Sequence, residues 1–142
     1  MDGHSSIVPM LGLSALVSYF VMSNVMLTFG NGVYNHLNKA YMALLMAATM
    51  GVIMSALTRN KMGILVSSAS SVFILGLIRN QEAIDDKSFT KAMIEHHDAA
   101  IFMSQKIEKR THSPFIKKLA NDIQKTQTEE IKEMKNWLDR LG

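Results

Sequence analysis

The chain has no cysteine among its 142 residues, which excludes disulfides, thiolate metal sites and thiol catalysis. It has only two prolines and no Gly/Ser-rich linker, so nothing in it argues for disorder. Charge is missing from most of the first half. Residues 1–80 hold one acid, Asp2, and four basic residues, Lys39, Arg59, Lys61 and Arg79. Residues 81–142 hold eleven acids and eleven basic residues. The net charge of +3 therefore comes from the ends of apolar runs and not from a basic patch, so nucleic acid is not an expected partner. No nucleophile–base constellation is visible either, and no enzyme is expected.

What fills the uncharged half is apolar. A helix needs roughly 20 apolar residues to cross about 30 Å of hydrocarbon. Residues 7–29, 40–57 and 62–78 are three such runs, which predicts a membrane domain over 1–80 and a water-facing domain over 81–142. The first run lacks the basic start and small-residue cleavage site of a signal peptide, so it reads as a retained span. The third contains Ser67, Ser68, Ser70 and Ser71, tolerable because a serine hydroxyl can return to the helix backbone. The compact Arg59–Lys61 loop prefers the cytoplasm, although Lys39 and Arg79 on the other side partly cancel that bias. Three spans put the two ends of the chain on opposite sides.

Methionine is the outlier, at 12 residues. Met42, Met46, Met50 and Met54 recur every four residues and form a slowly winding stripe on one helix; Met22 and Met26 repeat the spacing. The stripe reads either as flexible packing or as a thioether path for a soft metal. His36, in the polar loop before Lys39, reads as an interfacial hydrogen-bonder or as a ligand at the mouth of that path.

In the charged half, Asp85 or Asp86 can cap a helix from about Lys87 to Arg110. Thr111-His112-Ser113-Pro114 breaks it, with Ser113 and Pro114 starting a second helix that runs to about Arg140. The short connection predicts an antiparallel hairpin. Phe89, Met93, His96, Ala100, Met103 and Ile107 are spaced as a packing seam on the first helix. Ile116, Ala120, Ile123, Gln127, Glu130, Met134, Trp137 and Leu141 do the same on the second. Folding at 111–114 predicts His96 near Gln127 and Met93 near Glu130, a polar layer in an apolar seam. Such groups must hydrogen-bond, bind something or stay wet, because an unpaired buried polar group costs on the order of 1–3 kcal/mol. A lone hairpin buries little, so a homo-oligomer or a larger membrane complex is expected to complete the bundle.

At Met93-Ile94-Glu95-His96-His97-Asp98-Ala99-Ala100 and Met103 the sequence resembles domain-of-unknown-function family 305. The second helix matches too, at Leu119-Ala120, Ile123, Gln127, Glu130-Ile131, Met134 and Trp137-Leu138, so the likeness covers roughly residues 86–141. The first half, with Tyr41-Met42-Ala43-Leu44-Leu45-Met46, is similar to a membrane-anchored subgroup. The resemblance implies an all-α, ferritin-like half-bundle outside the cytoplasm. It also implies copper or silver binding, as in characterised relatives, with Met93, His96, His97, Met103, Glu130 and Met134 as ligands. Thioether and imidazole donors together suit Cu(I) and Ag(I). Met93 can close on one metal with either His96 or His97 across a turn. The two histidines point about 100° apart, so one belongs to the seam and the other to an oligomer face or solvent.

The expectation is thus a membrane-anchored soft-metal binder for tolerance, delivery or storage. It would sit in the bacterial inner membrane with the hairpin on the extracytoplasmic side. The alternative is an accessory subunit of a membrane complex, with the hairpin as docking module. A di-iron enzyme wants Glu-x-x-His pairs, and neither Glu130 nor Glu133 has a histidine three residues on.

Overall fold

In the computed structural model, which describes residues 7–28 and 30–141, every regular element among those residues is helical. Helix α1 is Ile7–Phe20, followed by a 3-10 turn at Met22–Asn24. Then come α2, Leu37–Leu57; α3, Lys61–Asn80; α4, Asp86–Glu108; and α5, Pro114–Arg140. They form two compact units. One holds α1, the 3-10 turn, α2 and α3; the other holds α4, α5 and the segment 25–36. Sequence reading assigns 25–36 to the first half, but the structure groups it with the hairpin.

The first unit contains three stretches long and apolar enough to cross a membrane, Ile7–Asn24, Leu37–Leu57 and Lys61–Asn80. The first is shorter than composition predicts. The Ser23 hydroxyl donates to the Tyr19 carbonyl at 2.5 Å and the Asn24 amide to the Phe20 carbonyl at 2.9 Å. Side chains thus take the last helical carbonyls and end the helix. The expected end at Phe29 lies outside the described residues. Lys39 is buried in the first turn of α2, its ammonium 2.8 Å from the Asn24 side-chain oxygen and 6.0 Å from the Tyr19 ring centre. Helices α2 and α3 approach closely at two glycines: a Cβ on Gly51 would stand 2.6 Å from Ser67 Oγ, and one on Gly63 would meet Ser55. Ser67 of the third run therefore serves packing, since small residues let spans approach.

In the second unit, Asp85 caps α4, accepting the Ser88 N–H at 2.7 Å. That backbone hydrogen bond is the main reason its carboxyl lies below its ordinary pKa. Ser113 caps α5, with Pro114 in its first turn. The helices run antiparallel, paired at His97–Glu130 and at Glu108–Gln124. Their core is small: Ile94, Ile101 and Ile131, with Tyr34, Met134 and Leu138 packed against it.

The expected seam holds on α5 at Ala120, Ile123, Gln127 and Met134, with the buried Ile131 added. On α4 it does not hold. Thr90, Ile94, Ile101 and Ser104 are buried, whereas Phe89, Met103 and Ile107 are exposed. The predicted His96–Gln127 and Met93–Glu130 register gives way to His97 facing Glu130 at 2.7 Å. Both α4 stripes have seam spacing. What separates them is a third element, the segment 25–36, which needs the flank bearing Glu95 and Asp98.

Candidate metal centre and its supporting contacts

Each residue turns a helix by about 100°, and α4 uses this to present three faces. The first is a carboxylate flank. Asp98, fully buried at 0% exposure, accepts the Thr28 N–H at 2.6 Å, the Thr28 hydroxyl at 2.5 Å and the Asn31 amide at 2.7 Å. Lys135 on α5 donates to Asn31 Oδ1 at 3.0 Å, so a cation stands one residue behind the carboxylate. Glu95 accepts the Tyr34 N–H at 2.6 Å and lies 3.0 Å from His36 Nε2, in a pair whose side chains are 7% and 8% exposed. Burial, and then Asp139 and Glu95, raise the Tyr34 pKa, which keeps its hydroxyl neutral.

These contacts place His36 with a carboxylate on the hairpin. Sequence reading gives Glu95 and Asp98 no role beyond their place in the motif, and gives none to Thr28 or Asn31. One signal was available: Asp98 sits between Ile94 and Ile101 on the apolar spacing of α4, where an acid needs a partner.

The second face meets α5. Glu130 Oε2 holds His97 Nε2, while His97 Nδ1 is buried with no partner and so is Gln127 Oε1. Met134 lies half-buried on the isoleucine cluster beside them.

The third face is uncovered. It carries Phe89, Met93, His96, Ala100, Met103 and Ile107; His96 is exposed, Met103 is 49% exposed and Met93 half-buried. The His96 and His97 rings stand 6.1 Å apart at 65°, which divides the two histidines between seam and surface. The six sequence-predicted ligands therefore fall into a seam group, His97, Glu130 and Met134, and a surface group, Met93, His96 and Met103. Met103 is ten residues, about 15 Å, along the helix from Met93. Among the described residues no three His, Asp or Glu side chains gather as a metal cage.

Of the span methionines, Met46 and Met50 line a cleft of about 340 Å³ with Met10 and Met22; Met22, Met42 and Met46 are all exposed.

Three membrane-length helices joined to a compact antiparallel hairpin with a carboxylate-backed histidine define the class. The chain belongs to the family described as Domain of unknown function (DUF305), whose model matches residues 86–142. It is similar to an uncharacterized protein of Acanthamoeba polyphaga mimivirus, 38% identical over 141 residues, covering 96% of this chain and 93% of that protein. No solved structure matches it.

Proposed function

We propose that the protein is a membrane-anchored binder of a soft monovalent metal, Cu(I) or Ag(I), acting in tolerance, delivery or storage without a catalytic step. The observation that carries this reading is His97. Its Nε2 lies against a carboxylate that only accepts, so in the neutral ring the proton sits on Nε2 and Nδ1 carries the lone pair. That nitrogen is buried and unpartnered. A carboxylate behind an imidazole is the support that metal-binding histidines usually have. Gln127 Oε1 is a second bare acceptor, and two buried acceptors are answered by a cation or a bound water. Met134 on α5, packed beside the seam, supplies the thioether chemistry that favours Cu(I) and Ag(I). Lacking cysteine, the donor set survives an oxidising compartment.

The reading places α1 with its 3-10 turn, α2 and α3 in lipid and the hairpin on the extracytoplasmic side. Three spans return the hairpin to the side of segment 25–36, and that segment is hydrogen-bonded to α4 through Glu95 and Asp98. The basic Arg59–Lys61 loop then faces the cytoplasm. Similarity to a viral protein of nearly the same length favours a viral or host membrane over a bacterial one.

A second reading, an accessory subunit whose hairpin docks in a larger complex, is favoured by the same two carboxylates. Half of the acidic and imidazole motif holds a chain segment, and His97–Glu130 would then only fix register. Metal content of detergent-purified protein, measured by mass spectrometry beside a Met93/His96/His97 triple-alanine variant, separates the two. Near-stoichiometric copper or silver, lost in the variant, is expected. No soft metal in either protein, with helicity unchanged, sinks the metal reading and leaves the docking one.

A further inference from the structure

The hairpin unit holds an open cleft of about 430 Å³ that uses none of the soft-metal donors. Its walls are Lys87 and Lys91 of α4, Lys135, Leu138 and Asp139 of α5, and Tyr34 of the segment 25–36. All six belong to one compact unit. Three lysines against one aspartate leave a surplus of two positive charges. The volume lies within the roughly 300–1,000 Å³ of small-ligand sites. We propose that this cleft binds a terminal phosphate group, carried by a phosphomonoester lipid headgroup or free in solution.

The lysines stand where the fold by itself does not favour them. Lys87 and Lys91 are four residues apart on one helix, and like charges at that spacing repel. Lys87 also lies in the first turn of α4, the positive end of the helix dipole, where a cation is unfavourable. Lys91 is half-buried and is the weakest of the influences on the Asp85 carboxyl. Among the described residues it makes no hydrogen bond or ion pair. A third ammonium brought in from α5 adds to the repulsion unless an anion lies between them.

Part of the cleft is held in place before any ligand arrives. Lys135 is half-buried and donates to Asn31 Oδ1 at 3.0 Å, and Asn31 is held in turn by the fully buried Asp98. An ammonium has three N–H donors, so Lys135 keeps two for a ligand. Tyr34 is fixed by its backbone N–H to Glu95 and by its packing on the isoleucine cluster. Burial keeps its hydroxyl neutral, and a neutral phenol donates to an anion.

A phosphomonoester carries about −1.5 to −2 charge at pH 7 and three strong acceptor oxygens. That matches both the surplus charge of the cleft and its three ammonium groups. A carboxylate or a phosphodiester brings a single charge and leaves the cleft positive. By chain, Tyr34 lies just before α2 and Lys87 just after α3, both of membrane-spanning length, so a lipid headgroup joins soluble phosphate as a source. Because the cleft lysines are not metal donors, this assignment and the soft-metal reading stand or fall separately.

The test titrates the full chain, in detergent, with inorganic phosphate and with short-chain phosphatidic acid, whose headgroup is a phosphomonoester, followed by calorimetry. Saturable binding is expected, weakened about tenfold or more in Lys87→Gln/Lys91→Gln, as for lost charge-assisted hydrogen bonds. Lys117→Gln/Lys118→Gln, at the other end of the hairpin, removes as much charge and should bind like wild type. Lys91→Gln alone serves if the double variant does not fold. Binding of both ligands assigns a free-phosphate site and binding of phosphatidic acid alone a headgroup site; either upholds the proposal. No saturable binding, equal weakening in the two double variants, or equal affinity for short-chain phosphatidylglycerol, a phosphodiester, overturns it.

Discussion

Asp98 is the residue whose position the rest of the hairpin obeys. Its carboxylate is fully buried and accepts three hydrogen bonds from Thr28 and Asn31, so removing it strands buried donors. Asp98→Ala is expected to destabilise the hairpin unit by about 2–4 kcal/mol. It should also free segment 25–36, read as faster protease cleavage after Tyr34 in the intact chain; unchanged cleavage would show that the segment is held by other contacts. Asp85 makes a different kind of contribution. Its pKa is lowered in the folded protein, chiefly by the Ser88 N–H. The stability it adds is therefore present above the pKa of the unfolded chain, and is lost as pH falls through the lower folded value. Asp85→Asn keeps a capping oxygen but cannot titrate, so thermal melts between pH 2 and 5 (approximate limits set by the ordinary aspartate range) should flatten relative to wild type. An unaltered acid limb would assign that limb to other carboxylates.

Among the elements, α2 and α3 depend on smallness and α4 on having three usable faces. Gly51 and Gly63 stand opposite Ser67 and Ser55 with no room for a Cβ. Gly51→Leu should force the two helices apart and cost about 1–3 kcal/mol by overpacking. The check is the detergent-denaturation midpoint, with Gly76→Leu, where nothing lies within 4 Å, as the control expected to change little. Equal midpoints for the two variants would count against close packing at Gly51. Helix α4 shows why a seam can be misread. Apolar residues at Phe89, Met93, Met103 and Ile107 make a well-spaced stripe, but Ile94 and Ile101 make another one residue away. The second is buried because Glu95 and Asp98 lie beside it and must reach segment 25–36. Local spacing offers both stripes; only the third packing partner chooses.

For the whole molecule, the segment 25–36 is the joint that sequence reading assigned to the wrong neighbour. It links the first two membrane-length helices by chain, yet it belongs to the hairpin by contact. His97, the centre of the proposed site, is two residues from Glu95 and one from Asp98, the groups that hold the segment. The metal-content experiment above tests the proposed donors on α4.

The sequence alone determined the helices, the cap at Ser113 and one at Asp85 or Asp86, the three apolar runs and the family motif. These depend on local propensity, capping chemistry and hydropathy, which are written within a few residues of where they act. It also determined that His96 and His97 diverge, because adjacent residues on a helix must. Tertiary structure decided which of two equally spaced stripes on α4 is buried, that His97 and not His96 meets Glu130, and that Glu95 and Asp98 serve a segment about sixty or more residues earlier in the chain. Long-range hydrogen bonds leave no periodic trace in a sequence, since an acid that will be buried and satisfied reads the same as one facing water until its partner is in place.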